Sequence, residues 1–194
     1  MSYRPAAATG ARAVLVSAAP AALTVACALF VFAAPAAAVK AGEKAPVAAL
    51  KGIVDADGQP FDAASRLVPG GAKNATLLVF WASWCHPCIS EIPVLNEMHR
   101  FYGKRGLRVL GLGVREGGET LDGIRKAAQS HGVTYPVLFD SEGKGQELFG
   151  VAALPTSVLI SGTGEILWNG PALPKDLTTK IAAALGQDGD SGTK

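Results

Sequence analysis

The chain has few of the side chains that bind metal ions. Its 194 residues include three cysteines and three histidines, and no histidine follows His131. One C-x-x-C pair is present, at Cys85 and Cys88, and no second pair accompanies it. Because a structural zinc site needs about four ligands, usually cysteine or histidine, this scarcity argues against bound zinc.

An excess of basic charge is also missing. The formal net charge is +2, and all 16 acidic residues and all but two of the 18 basic residues lie from Val39 onward. The local basic run of Lys104, Arg105 and Arg108 is expected near a helix C-terminus, where cations suit the helix dipole. A protein that binds nucleic acid needs a clustered basic surface, so nucleic acid is not an expected partner.

Acidic side chains are absent from the start of the chain. Arg4 and Arg12 are the only charged residues before Lys40, and the stretch 13–39 is uncharged and rich in apolar residues. A positive start, an apolar middle and small residues near Ala38 form the pattern of a secretory signal, with cleavage expected after that residue. The stretch is also longer than the roughly 20 residues of a membrane span, so an uncleaved anchor is the alternative. Both interpretations put the rest of the chain outside the cytoplasm.

The length allows one ordinary domain with a sizeable core. We predict a signal peptide or membrane anchor over residues 1–38, a folded domain over 39–186 and a polar, disordered tail over 187–194. Membrane contact is expected only through the N-terminal segment.

The hydrophobic pattern predicts an α/β fold. Short apolar runs predict strands over residues 75–81, 107–114, 137–139, 156–160 and 165–168. Helical spacing predicts helices over residues 85–104, 120–131, 145–149 and 174–185. The order strand, helix, strand from residue 75 to 114 is a βαβ unit with parallel strands. We expect a central mixed sheet of four to five strands flanked by helices, with an N-terminal hairpin around the Asp-Gly at residues 57 and 58.

The chemistry is carried by Trp-Cys-His-Pro-Cys at residues 84–88. A C-x-x-C between a buried strand and a helix is typical of a redox pair. Cys85 is predicted at the helix N-terminus, where unpaired N–H groups stabilise the thiolate that attacks disulfides. We expect Cys85 to be the more exposed cysteine and Cys88, one turn on, to resolve the mixed disulfide. Pro87 suits the first helical turn. His86 as imidazolium would favour the thiolate and make the pair more oxidising.

Other interpretations of the pair fit less well. A structural disulfide across two residues closes too small a loop to stabilise much. A copper-delivery protein on a similar fold would use C-x-x-x-C and a late histidine, and a peroxidase of the peroxiredoxin type would carry Thr where this chain has Ala82. The direction of electron flow stays open, because the residues define the couple and not its potential.

Four segments resemble the TlpA/ResA group of exported thioredoxin-like disulfide reductases, which includes the cytochrome c maturation thioredoxins. They are LLVFWASWCHPC, ISEIPVLNEM, YPVLFD and FGVAALPTSVLISGTGEI. The resemblance covers about residues 40–185 and implies a thioredoxin-like fold. It also implies reduction of protein disulfides outside the cytoplasm or at the membrane's outer face, with no cofactor and with a membrane thiol protein as electron donor.

The resemblance also implies roles for single residues. Glu91 matches an acid that handles protons near the cysteines, and Pro155 matches a cis-proline that faces them, leaving the backbone of Leu154 free for substrate. Val79 stands where ordinary thioredoxins carry a buried aspartate. The implied substrate contacts are Trp84, His86, Pro87, Leu154 and Pro155. The substrates implied are disulfide-containing exported proteins. Apocytochrome c is one candidate and not the expected one, since Leu-Pro-Thr-Ser replaces the Pro-Glu-Thr of that branch.

Overall fold

A computed structural model describes residues 39–186, and these form an α/β domain. The predicted segments 1–38 and 187–194 lie outside the described residues. The strands are β1 (Ile53–Asp55), β2 (Ala75–Trp81), β3 (Leu107–Gly113), β4 (Val137–Asp140), β5 (Thr156–Ser161) and β6 (Ile166–Pro171). The helices are α1 (Ala63–Leu67), α2 (His86–Tyr102), α3 (Leu121–Ser130), α4 (Lys144–Phe149) and α5 (Leu177–Ala184).

The strands form one mixed sheet in the order β1-β4-β3-β2-β5-β6. Strands β2 and β3 pair in parallel along their whole length, and β3 pairs in parallel with β4. Strand β5 runs antiparallel to β2 and to β6, and β1 runs antiparallel to β4. The predicted βαβ unit and the late hairpin are therefore both confirmed.

The sheet has six strands within the described residues, against the four to five predicted. The difference arises at the N-terminal hairpin, whose first strand β1 joins the edge of the sheet beside β4. Its turn forms at Asp55, where the side chain accepts the backbone N–H groups of Asp57 and Gln59. The returning segment forms an isolated bridge between Pro60 and Val54. Proline is tolerated there because the hydrogen bonds of the bridge are made by its neighbours, from the N–H of Asp55 to the carbonyl of Gln59 and from the N–H of Phe61 to the carbonyl of Ile53.

Helix α1 was not predicted from the sequence. It is five residues long, too short to form without tertiary contacts. Its N-cap is Asp62, whose carboxylate accepts hydrogen bonds from the backbone N–H and the hydroxyl of Ser65. Ala63 and Leu67 are buried against the sheet.

Two hydrophobic clusters cover the two faces of the sheet. One includes Leu78, Phe80, Leu110 and Phe149 together with both cysteines. The other gathers Leu77, Val79, Leu95 and α5. Strand β2 contributes to both clusters because it is buried on both faces. Its packing therefore holds the start of the following segment in a defined position. No helix within residues 39–186 has the length and apolar character needed to cross a membrane.

Candidate active site

The cysteine pair lies at the junction of β2 and α2. A four-residue turn over residues 82–85 follows the end of β2 at Trp81, and it is closed by the N–H of Cys85 donating to the carbonyl of Ala82 at 3.1 Å. Cys85 is the N-cap of α2, with an extended backbone, and Pro87 lies in the first helical turn. The sulfur of Cys85 accepts the N–H of Cys88 at 3.2 Å, in the manner of a helix cap.

The two sulfur atoms are bonded to each other, so the structure describes the oxidised pair. Cys85 is 4% exposed and Cys88 is 3% exposed. The expectation that Cys85 is clearly more exposed than Cys88 is therefore wrong for this form. Both sulfurs are shielded while they are bonded, and the two residues differ instead in their place on the helix: Cys85 caps the N-terminus, and Cys88 lies inside the first turn.

The surface around the pair is built from exposed neighbours. Trp84 is 47% exposed, and His86 and Pro87 are also exposed. The Leu154–Pro155 peptide bond is cis. Because Thr156 pairs with Phe80 in antiparallel register, Pro155 comes opposite the end of β2, next to the turn that carries Cys85. Leu154 packs against the cluster that contains both cysteines.

Glu91 lies on α2, one turn after Cys88, and is half-buried. One carboxylate oxygen accepts the backbone N–H of Leu173 at 3.0 Å, and the other is buried without a partner. Loss of solvation raises the pKa of Glu91 above its usual value of 4.5, and the Leu173 hydrogen bond offsets part of this rise. Burial of Tyr135, and to a smaller extent the negative charge of Glu91, raise the pKa of the Tyr135 phenol.

A second acidic residue at the turn, Glu119, was not predicted from the sequence. Glu119 follows β3 and is 7% exposed. Its carboxylate accepts the N–H of Ser83 at 2.5 Å and the N–H of Thr120 at 2.9 Å. The contact joins residues 36 positions apart, so it could not be found from local pattern. The one local signal is the adjacent pair Gly117 and Gly118, which marks a loop at this place.

Among the described residues, no group of three or more His, Cys, Asp or Glu side chains is placed to hold a metal ion. Of the histidines, His86 is exposed beside the pair and His99 lies near the other end of α2. The sheet order, the cis-proline opposite the end of β2 and the helix-capping C-x-x-C define a thioredoxin-fold protein with a redox-active cysteine pair.

Within that class, the chain belongs to the AhpC/TSA family, whose pattern matches residues 41–169. A curated relative, the thiol-disulfide oxidoreductase ResA of Geobacillus thermodenitrificans, is 34% identical over 93 residues, covering 48% of this chain and 52% of the relative. The chain thus spans about half the length of the curated relatives that it matches.

Solved structures agree with this placement. A putative thiol:disulfide interchange protein DsbE from Chlorobium tepidum is 26% identical, with a TM-score of 0.64 over 77% of this chain and 100% of that one. A thioredoxin-family thiol:disulfide interchange protein from Chlorobium tepidum TLS is 28% identical, with a TM-score of 0.55 over 69% of this chain and 91% of that one. The resemblance to the ResA group is therefore confirmed.

Proposed function

We propose that this chain is a thiol–disulfide oxidoreductase that reduces protein disulfides outside the cytoplasm. The observation that carries the proposal is the position of Cys85, whose sulfur accepts the N–H of Cys88 at the N-terminus of α2. In the reduced protein the same N–H and the positive end of the helix dipole would stabilise a thiolate on Cys85. Cys88 does not cap the helix, because it lies within the first helical turn.

The reaction takes two exchange steps. The Cys85 thiolate attacks one sulfur of a substrate disulfide, which forms a mixed disulfide and releases the other substrate sulfur as a thiolate that takes up a proton. Cys88 then loses its proton and attacks the sulfur of Cys85, which releases the second substrate thiol and forms the Cys85–Cys88 disulfide. Two electrons pass to the substrate, so a dithiol donor must reduce the pair again.

The proposed substrate surface surrounds the pair on two sides. Trp84, His86 and Pro87 are exposed on the cysteine side and offer an aromatic face, an imidazole ring and a rigid backbone. On the other side, the backbone at Leu154 and Pro155 precedes β5 and can pair with an extended segment of substrate. A surface of this kind accepts an unfolded or extended chain around a disulfide.

Glu91 is the proposed proton-handling group. It lies one turn from Cys88, and one of its oxygens is buried without a partner, so it is placed to accept a proton. The raised pKa of Glu91, caused by its burial, brings that exchange closer to neutral pH.

The proposed location and partners rest on the sequence. The secretory pattern of residues 1–38 supports export, with the domain at the outer face of the cytoplasmic membrane or in the periplasm. An oxidising compartment requires a supply of electrons, for which a membrane thiol protein is the proposed donor. Disulfide-containing exported proteins, with apocytochrome c as one candidate, are the proposed substrates.

Export can be tested with a fusion of residues 1–45 to a reporter that is active only outside the cytoplasm. Reporter activity supports the proposal, and a well-expressed but silent fusion contradicts it. N-terminal sequencing of the mature protein then separates cleavage after Ala38 from an intact anchor.

The direction of electron flow is tested by the reduction potential of the Cys85–Cys88 pair, measured by equilibration with glutathione buffers. We expect a value near that of thioredoxin, about −270 mV. A value near about −120 mV would identify an oxidase that introduces disulfides. Stoichiometric copper on the purified reduced protein would instead favour a copper chaperone.

A further inference from the structure

The loop between β3 and α3, residues 116–119, contacts the turn that carries Cys85. Its last residue, Glu119, is buried and uses both carboxylate oxygens. One accepts the N–H of Ser83 at 2.5 Å, and the other accepts the N–H of Thr120 at 2.9 Å. We call this segment the β3–α3 loop.

The hydrogen bond to Ser83 completes the turn over residues 82–85. The N–H of Cys85 closes that turn onto the carbonyl of Ala82, and this bond does not use the N–H of Ser83. The N–H of Ser83 instead donates to the carboxylate of Glu119, which follows the neighbouring strand β3. A partly buried N–H without an acceptor is unfavourable, so Glu119 favours this turn over other paths from β2 to Cys85.

Two glycines make room for the arrangement. A Cβ atom at Gly117, which has φ of 64°, would lie 3.1 Å from the indole ring of Trp84. A Cβ atom at Gly123 in α3 would lie 2.4 Å from a carboxylate oxygen of Glu119. The β3–α3 loop thus contacts Ser83 and Trp84, the two residues before Cys85. It accepts a hydrogen bond from Ser83 and packs against the side chain of Trp84.

We propose that Glu119 is a positioning residue for Cys85, and that its negative charge also makes the cysteine pair more reducing. The proposal rests on the redox function proposed above and adds a residue that sets its geometry and potential. From the 2.5 Å hydrogen bond to Ser83 and the reach of two residues, the carboxylate lies within about 11 Å of the Cα atom of Cys85.

The sign of the charge effect follows from the two redox forms. The oxidised pair is neutral, whereas the reduced pair carries a thiolate on Cys85 that a nearby negative charge disfavours. Glu119 therefore destabilises the reduced form relative to the oxidised form, so the pair gives up electrons more readily. For two charges at this separation in a protein, the effect is about tenfold in the equilibrium constant.

The test compares Glu119→Gln and Glu119→Ala with Glu116→Gln. The glutamine variant removes the charge and keeps an acceptor for Ser83, and the alanine variant removes both. Glu116 is the matched control, because it lies in the same loop but is exposed. Its carboxylate accepts a hydrogen bond from the side-chain amide of Gln146. Each protein is equilibrated with glutathione buffers, and the alkylation of Cys85 by iodoacetamide is followed against pH in a Cys88→Ser background.

We expect both Glu119 variants to shift the equilibrium with glutathione about tenfold toward the reduced protein, a rise of about 30 mV. The midpoint pH of Cys85 alkylation falls in both, and Glu116→Gln matches the wild type. The alanine variant also reacts with a peptide disulfide at least about fivefold more slowly than the glutamine variant, because its turn is no longer held.

An unchanged potential and alkylation midpoint in Glu119→Gln would overturn the charge effect, and equal exchange rates in the two Glu119 variants would overturn the positioning role. If the alanine variant does not fold, Glu119→Asp takes its place, since the shorter side chain keeps the charge but not the reach to Ser83. In each of these cases the wild type still cycles with glutathione. A wild type that does not cycle would instead contradict the proposed redox function.

Discussion

Glu91 and Leu173 connect the helix that carries the cysteines to the segment that follows β6. One carboxylate oxygen of Glu91 accepts the backbone N–H of Leu173 at 3.0 Å, while its other oxygen is buried without a partner. The carboxylate is therefore held in place on one side and left available for a proton on the other. This arrangement gives the acid implied by the family resemblance a defined environment.

The first prediction concerns the pH dependence of stability in Glu91→Gln. Burial raises the pKa of Glu91 in the folded protein above 4.5, so its favourable contribution is complete below that pH and is lost as the pH rises through the folded value. Glutamine stays neutral and keeps the acceptor for Leu173. We expect urea unfolding to show the variant gaining stability relative to the wild type between about pH 4.5 and pH 8.

Glu97→Gln is the control for that measurement. Glu97 is exposed on the same helix, and its ion pair with Arg100 lowers its pKa, so the wild type should show no loss relative to this variant over the same range. A stability difference for Glu91→Gln that does not change with pH would contradict the account. If Glu91 also exchanges protons with the pair, the pH profile of disulfide reduction shifts in Glu91→Gln and not in Glu97→Gln.

The second prediction concerns Trp84. Its side chain is 47% exposed beside the cysteine pair, whereas Phe101, near the other end of α2, is 49% exposed and far from it in sequence. Loss of an aromatic contact in Trp84→Ala should lower kcat/KM for a protein disulfide by about tenfold. A small disulfide that cannot reach the ring should be reduced at nearly the wild-type rate. Phe101→Ala should change neither rate, and a matching loss in both variants would show that Trp84 has no specific role.

The third prediction concerns the hydrogen bonds that join α2 to the segment before β4. Asn96 donates to the carbonyl of Gly132 at 2.8 Å and accepts from the N–H and hydroxyl of Thr134, both at 2.9 Å. Asn96→Ala should lower the free energy of unfolding by about 2 kcal/mol, because all three bonds are lost. The adjacent Glu97→Ala removes only an exposed ion pair and should change it by less than about 1 kcal/mol. Denaturant unfolding of the two variants decides between these values, and equal losses would contradict the account.

The sequence was most informative where the hydrophobic pattern is continuous. The seven residues of β2 are all buried, and the apolar run predicts the strand. The helical spacing of the apolar residues that follow predicts α2, and the two elements together predict the junction at Cys85. Helix α1 escaped prediction because its five residues depend on the Asp62 cap and on burial of Leu67, neither of which local pattern reveals. The added edge strand β1 depends on pairing with β4, far along the chain.

In the candidate site too, some residues are predictable from local sequence pattern and others depend on contacts made by the folded chain. The cysteine pair could be found from its spacing and context, while the role of Glu91 was implied only by the family resemblance. Glu119 could not be found at all, because its importance lies in a contact with Ser83 that only the folded chain creates. The similar exposures of the two cysteines were also not predicted, because both are packed into the hydrophobic cluster that contains Leu78 and Phe80.

The measurement that tests the central claim most directly is the trapping of mixed disulfides by single cysteine variants in extracts of the compartment where the protein resides. Cys85 caps α2 and should attack, so Cys88→Ser, which lacks the resolving thiol, should accumulate covalent complexes that dissolve on reduction. Cys85→Ser should trap little, because the remaining thiol lies within the helix and is a poor attacker. Equal trapping by the two variants, or none by Cys88→Ser when a substrate disulfide is supplied, would contradict the assignment of Cys85 as attacker and Cys88 as resolver.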